Sequence, residues 1–294
     1  MKKVISLTLC IIMLVCFASC TVSKVKVNGV KVDNEIYKYY ENTLPKDDNG
    51  EVSDEVIKKA IEQYVAINSE FANKNLKLSY NQKSALSTTV NDLWHMYGNY
   101  YKEIGVSKQT IYKIETSKEY KNALMTEYYS ENGESPLSEE SVKEFFKTNY
   151  AGIRFVTGYL FNIDENGATV PMTEEQKTNT LNSFSSVATM VNEGTSIEEA
   201  VGSLGENIEV HNTVVNAFAN STFPEGFWAE VNAIEEGKAT AISLGDYVFL
   251  VQRVDVFSDE YGYYNTYRTN CLEKMKGEEF SAIVDKWAEN YKAE

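Results

Sequence analysis

Apolar and polar positions alternate through Val25-Lys26-Val27-Asn28-Gly29-Val30-Lys31-Val32. Alternation around Asn-Gly predicts two short strands joined by a tight turn, because Asn and Gly accept the positive φ of such a turn. From Asp33 onward the period changes to that of a helix. Asp33 is placed to cap a helix that begins near Asn34 and carries Ile36, Tyr39 and Tyr40 on one side. Ser53 caps a longer helix, with Val56, Ile57, Ala60, Ile61, Tyr64, Val65 and Phe71 at one-face spacing. A further helix is predicted from about Tyr80 to Ile104, with Leu86, Val90, Leu93, Trp94 and Tyr97 inward. Ser107 opens the next, which carries Ile111, Ile114, Tyr120, Leu124 and Tyr128. Several amphipathic helices in succession imply one helical domain with a shared core.

The pattern shifts after the turn-rich break from Glu131 to Pro136. A short capped helix follows Ser138 and ends near Asn149, and Ile153 to Phe161 reads as an extended apolar strand. Asp164 to Gly167 is a loop. Thr173 caps a helix to about Asn192 that buries Leu181, Phe184, Val187, Ala188 and Val191, and Gly194 ends it before Ile197 and Ala200. Phe227, Val231 and Ile234 form a small amphipathic helix that is expected to stop at Gly237. Tyr247 to Val251, rich in aromatic and β-branched residues, is a core strand. Beyond Asp259, two helical segments, Tyr267 to Met275 and Glu278 to Tyr291, are expected to break at Gly277.

With 294 residues, 43% of them hydrophobic, the chain has room for two packed domains, and its formal charge of -15 makes a phosphate-binding surface a poor fit. The amino terminus refines this picture. Met1-Lys2-Lys3 is followed by an almost wholly apolar run from Val4 to Phe17 and by Ala18-Ser19-Cys20. That run is too short to span a bilayer and reads as a secretory leader. It resembles a bacterial lipoprotein signal, which implies lipidation of Cys20 and attachment to the outer face of the cytoplasmic membrane; an ordinary cleavage near Ala18 is the alternative. With Cys10 and Cys16 removed and Cys20 lipidated, Cys271 is the remaining thiol, so the exported chain has no internal disulfide and Cys271 reads as a buried, inert residue. His95 has no Cys, His or carboxylate neighbours at metal-ligand spacing, and the glycine and nucleophile motifs of phosphate and acyl chemistry are missing, so neither a metal nor another cofactor is expected. Trp94, Tyr97, Tyr100 and Tyr101 offer either core packing or a peptide-binding surface, and adjacent Tyr100 and Tyr101 cannot both face inward.

Three stretches carry a family resemblance. They are the V-N-G hairpin followed by a helix, the run P-L-S-E-E-S-V-K-E-F-F-K-T-N-Y before I-R-F-V-T-G-Y-L-F, and the segment from Ile153 to Val256 in which Phe223, Phe227 and Gly237 are spaced by four and ten residues. Together they resemble the PrsA/SurA-type foldases with a parvulin-type peptidyl-prolyl isomerase domain. The resemblance implies an α+β chain. In it, a discontinuous helical domain (25–151 and 257–294) holds an inserted parvulin-like β-α-β domain (152–256), behind a leader (1–19) and a linker (20–24). It further implies a prolyl seat built from Phe223 and Phe227, with Tyr247, Phe249 and Tyr159 as its other substrate-binding side chains.

The sequence departs from the family where catalysis is concerned. Gly158 stands where the resemblance puts a histidine, and no histidine lies between Leu244 and Arg253. His211 is the one weak catalytic candidate. The expected function is a membrane-attached chaperone that binds unfolded exported polypeptides, with room for a homodimer and without nucleic acid. An active prolyl isomerase using His211 and a scaffold lipoprotein with one folded partner remain alternatives.

Overall fold

The computed structural model describes residues 24–206, 208–218 and 222–294. The leader, Cys20 and linker positions 20–23 lie outside that range. The chain is α+β, and it divides into two compact units. One comprises the residues up to Ser138 together with Leu272–Glu294, and the other is Glu139–Cys271. The second is therefore wider than the span 152–256.

In the first unit, β1 (Lys26–Val27) and β2 (Val30–Lys31) pair across Asn28 and Gly29, whose φ values of 50° and 79° are those a tight hairpin demands. The carboxyl terminus returns to this hairpin. Lys26 and Glu294 exchange backbone hydrogen bonds at 3.1 and 2.8 Å. Side-chain caps start each helix. Asp33 accepts from Glu35 N–H ahead of α1 (Asn34–Thr43), and Ser53 accepts from Val56 N–H ahead of α2 (Asp54–Asn73). Ser79 forms a reciprocal capping box with Gln82 ahead of α3 (Tyr80–Glu103), and Ser107 caps α4 (Lys108–Tyr128). The apolar stripes of α1, α2 and α4 meet at Ile36, Ile57, Ile61, Tyr64, Val65 and Ile114, joined by Val27 and Ala288.

Two positions assigned inward are not. Val56 is 46% exposed, because the buried stripe of α2 is centred on Ile57, Ile61 and Tyr64. Tyr97 is 50% exposed, because the buried stripe of α3 runs through Leu86, Val90, Gly98 and Tyr101. Of the adjacent tyrosines, Tyr101 is buried and Tyr100 exposed.

In the second unit, α5 (Glu139–Asn149) leads straight into β3 (Tyr150–Tyr159), so the strand starts three residues before Ile153. A hairpin of β4 (Phe161–Ile163) and β5 (Thr169–Pro171) flanks the Asp164 loop. Next come α6 (Glu174–Asn192), with a Thr173–Gln176 capping box, and α7 (Ile197–Ala200). After these come β6 (His211–Asn216), α8 (Phe227–Asn232), β7 (Ala239–Leu244) and β8 (Tyr247–Val254). The four long strands form an antiparallel sheet in the order β6-β3-β8-β7.

Strand alternation gives this sheet two faces. Val156, Val248 and Leu250 pack under Phe184, Val187, Val191 and Ile197 of α6 and α7. Ile153, Val215, Ile242, Phe249 and Val251 pack on the other side under Phe227 and Val231 of α8.

Two glycines behave differently from the sequence expectation. Helix α8 ends at Asn232, short of Gly237, whose N–H instead donates to Arg253 C=O at 2.8 Å at the start of the β7–β8 ladder. Helix α9 (Tyr263–Ala288) runs unbroken through Gly277. A glycine inside a helix costs about 1 kcal/mol, and burial of Cys271, Leu272, Phe280, Val284 and Ala288 along the same helix offsets it. Among the described residues, no helix is long and apolar enough to cross a membrane.

Candidate functional site

Register and alternation bring Phe155, Tyr159, Tyr247 and Phe249 to one face of the sheet. Phe155 of β3 pairs with His211 on one side and Val251 on the other, Thr157 pairs with Phe249, and Tyr159 pairs with Tyr247. Ahead of α8, Pro224 C=O accepts from Phe227 N–H, and Gly226 adopts φ 87°, a conformation that costs a glycine little. This turn lays the Phe223 ring flat on Phe227, with centroids 4.2 Å apart and planes 3° from parallel.

The contacts then continue ring by ring. Phe227 meets Phe249 edge-on at 4.9 Å, Phe249 stacks with Tyr247 at 5.9 Å, and Tyr247 meets Tyr159 at 5.8 Å. Phe161 extends the row at 5.0 Å from Tyr159. Offset and edge-on pairs of this kind add roughly 0.5–1.5 kcal/mol each beyond area burial.

Burial separates these residues into two groups. Phe227 and Phe249 are 2% and 4% exposed, so they are a sealed floor and cannot present open faces to a substrate. The reason is α8 itself, which covers exactly the stretch of sheet around Ile242 and Phe249. Tyr159 and Tyr247, at 51% and 38%, remain accessible beyond the end of that short helix, and Phe223 is half-buried. Phe155 belongs with them. It sits 5.3 Å from Phe223 and 5.6 Å from the His211 ring. Phe155 escaped the sequence analysis, although the period-2 set Ile153, Phe155, Thr157, Tyr159 identifies its face.

The polar groups have a different layout. His211 is exposed at the start of edge strand β6, and Phe155 stands between it and Phe223. Gly158, the position the resemblance gives to a histidine, points to the opposite face. A Cβ there would lie 2.5 Å from Phe184 Cζ and 2.9 Å from Val248 Cγ1, so any side chain must displace these packed groups. Among the described residues, no group of three His, Cys, Asp or Glu side chains is arranged to hold a metal, and His95 is exposed on α3. Cys271 is buried, and its burial pushes the thiol pKa up to about 11, which leaves very little thiolate at neutral pH.

The helical unit has aromatic surface of its own. Tyr101 is surrounded by Trp94, Tyr97, Tyr100 and Tyr39 at centroid distances of 5.8–6.5 Å. Around this centre Tyr97 is 50% and Tyr100 42% exposed. Beside it a cavity of about 370 Å³ opens between α1, α2, α4 and α9, lined by Tyr40, Leu44, Gln63, Tyr64, Lys118 and Lys121 among others. Burial, reinforced by neighbouring phenols at Tyr40 and by the Asp33 carboxylate at Tyr64, drives their hydroxyl pKa values far above the usual tyrosine range. The cavity wall is therefore neutral hydroxyl and hydrocarbon, with lysines at its edge.

No known family's sequence profile matches this chain, and no curated protein matches it in sequence. Its structure is similar to that of foldase protein PrsA from Streptococcus pneumoniae, with 11% identity over 84% of this chain and 92% of that one and a TM-score of 0.40. Foldase protein PrsA from Lactococcus lactis shares 10% identity over 92% and 94% of the two chains, with a TM-score of 0.41. For PrsA from Bacillus subtilis the figures are 13%, 85%, 91% and 0.37. The chain is thus similar along most of its length to solved PrsA-type foldases.

Proposed function

We propose that this chain is an extracytoplasmic foldase of the holding kind, anchored through a lipid on Cys20, that binds unfolded exported polypeptides without turning their proline bonds. One observation carries this reading. Tyr159 and Tyr247 stand open beside a packed aromatic floor, and the backbone position assigned to a catalytic histidine is closed by Phe184 and Val248. An open aromatic surface of this kind marks an interaction site, and unfolded chains differ from folded ones in offering apolar side chains to it. Rotating a prolyl amide means crossing a barrier of roughly 18–20 kcal/mol. Lowering it needs polar groups held against the amide, and the nearest imidazole, His211, is set off by the Phe155 ring.

The exposed aromatics around Tyr101 give the helical unit a second apolar surface for the same clients. The Cys20 anchor rests on the leader pattern and is tested by metabolic labelling with a fatty-acid probe, which Cys20→Ala abolishes.

The deciding experiment measures aggregation of an unfolded client with and without equimolar protein. Suppression by the wild type, weakened in the Tyr159→Ser/Tyr247→Ser variant, is the expected result. No suppression and no binding to unfolded chains would overturn the reading. A protease-coupled proline-peptide assay separates holding from isomerisation: acceleration that is lost in His211→Ala assigns the chain to the active isomerases instead.

A further inference from the structure

Strand β7 is an edge of the four-stranded sheet, and its main-chain hydrogen bonds can be accounted for residue by residue. In an antiparallel ladder, alternate residues turn both N–H and C=O toward the neighbouring strand and the others turn both away. Arg253 N–H donates to Lys238 C=O at 2.9 Å, and the register continues as Thr240↔Val251, Ile242↔Phe249 and Leu244↔Tyr247. The even-numbered residues therefore face β8, while Ala239, Ala241 and Ser243 turn their groups outward. Both groups of Ala239 are taken. Asn192, the last residue of α6, accepts from Ala239 N–H through Oδ1 and donates through Nδ2 to Ala239 C=O, each at 2.8 Å. A carboxamide offers N–H and C=O side by side, as a peptide unit does, so Asn192 stands where the first residue of an added strand would stand.

The next two outward residues have no such cover. Among the described residues, nothing donates to or accepts from the outward main-chain groups of Ala241 and Ser243. Edge strands are ordinarily protected from pairing by lysine, by another charge, by proline or by a bulge. The segment Ala-Thr-Ala-Ile-Ser-Leu contains no charged residue and no proline, and Ser243 is exposed. The edge is also continuous with the aromatic surface. Ile242 and Leu244 share their face with Phe249 and Tyr247, and Leu244 packs in the same cluster as Phe223. A strand laid against β7 would place alternate side chains next to that surface.

We infer that β7 is a docking edge for an extended, proline-free segment of an unfolded polypeptide. The segment adds as a fifth strand along Ala241–Ser243, with Asn192 fixing where pairing begins. This inference rests on the foldase reading for the nature of its occupant. Main-chain bonds supply affinity without regard to sequence, which suits a protein with many clients, and the tyrosines bias the choice toward apolar side chains.

The test uses the full-length chain and a permanently unfolded, reduced and carboxymethylated secretory protein as probe. In the free protein the Ala241 and Ser243 amides exchange rapidly with solvent deuterium, while those of Ile242 and Leu244 are slow. The probe protects Ala241 and Ser243. Ser243→Pro removes one outward N–H that the sheet does not use, which an edge strand tolerates. It is expected to weaken probe binding at least about fivefold, since it deletes one hydrogen bond and sets a ring in the path of the incoming chain, and to leave the urea midpoint unchanged.

If Ser243→Pro binds the probe as tightly as the wild type, or if these two amides are already slow in the free monomer, the edge proposal fails while the foldase reading stands. A wild type that binds no unfolded chain overturns both. Protection that tracks protein concentration without the probe, together with a dimer in sedimentation, would make a second copy the occupant and overturn the proposal. The exchange measurement on the wild type needs no variant to fold.

Discussion

Gly158 offers a direct test of how the second unit is built. Substitution by alanine places a Cβ 2.5 Å from Phe184 Cζ, 2.9 Å from Phe184 Cε2 and 2.9 Å from Val248 Cγ1. Phe184 is 6% exposed and Val248 fully buried, so neither can swing into solvent. Overpacking of a well-packed core costs about 1–3 kcal/mol. Alanine recovers about 0.4–1 kcal/mol of this by restricting the unfolded chain, because Gly158 is not among the positive-φ glycines. The net loss is therefore about 1–2 kcal/mol, or a few degrees in Tm for a unit of this size. Urea unfolding followed by the fluorescence of Trp228, in a Trp94→Phe/Trp287→Phe background, reads the second unit by itself. Phe184→Leu removes the two clashing ring atoms, so Gly158→Ala should cost less in that background, with a coupling of about 1 kcal/mol. A neutral or stabilising Gly158→Ala, or full additivity with Phe184→Leu, would refute the claim that this position is closed, and would reopen the route to a grafted histidine.

Phe227→Ala should cost about 3–5 kcal/mol by chemical denaturation, since the ring is fully buried in the α8 core; a surface-like effect below about 1 kcal/mol would mean that α8 does not seal the floor. The Cys271 thiol, buried and with its pKa raised to about 11, should resist alkylation at pH 8 in the native protein and react promptly in 6 M urea, which mass spectrometry resolves. Glu139 is bonded by Arg268 and by the Tyr264 hydroxyl, and chiefly the Arg268 bond holds its carboxyl below the ordinary glutamate range, against burial. A depressed carboxyl contributes stability that is present above its unfolded pKa of about 4.3 and is lost as pH falls through its lower folded value. Arg268→Gln should therefore be less stable than wild type at pH 7, by about 0.5 kcal/mol because the pair is partly solvated, and denaturation midpoints should converge below pH 4. A gap that widens on acidification would contradict this assignment.

Most of the local punctuation was legible. Asp33, Ser53, Ser107 and Thr173 cap the helices they were assigned, because a side-chain oxygen bonding an N–H two or three residues away is settled within one turn. The Asn28-Gly29 hairpin follows from two residues that tolerate positive φ. Strand β7 was not legible: Ala-Thr-Ala-Ile-Ser-Leu has little β-propensity of its own, and pairing with β8 across Gly245-Asp246 is what makes it a strand. The same holds for α9, where Gly277 reads locally as a break.

For the candidate site, the spacing of Phe223 and Phe227 matched that of a prolyl seat, yet spacing carries no information on burial. That Phe227 and Phe249 are floor while Tyr159 and Tyr247 are surface depends on how far six residues of α8 reach across the sheet.

The sequence by itself determined where the capped helices α1, α2, α4 and α6 start and where the tight hairpin turns, because these depend on contacts between residues a few positions apart. Only the tertiary structure decided that Phe155 and Tyr159 share a face with Tyr247 and Phe249, which rings are sealed, that Phe184 closes position 158, and that Asn192 covers one outward residue of β7 while no other described residue bonds the next two. Each of these is a meeting of side chains and backbone far apart along the chain, and its geometry exists only once the sheet and its helices have packed.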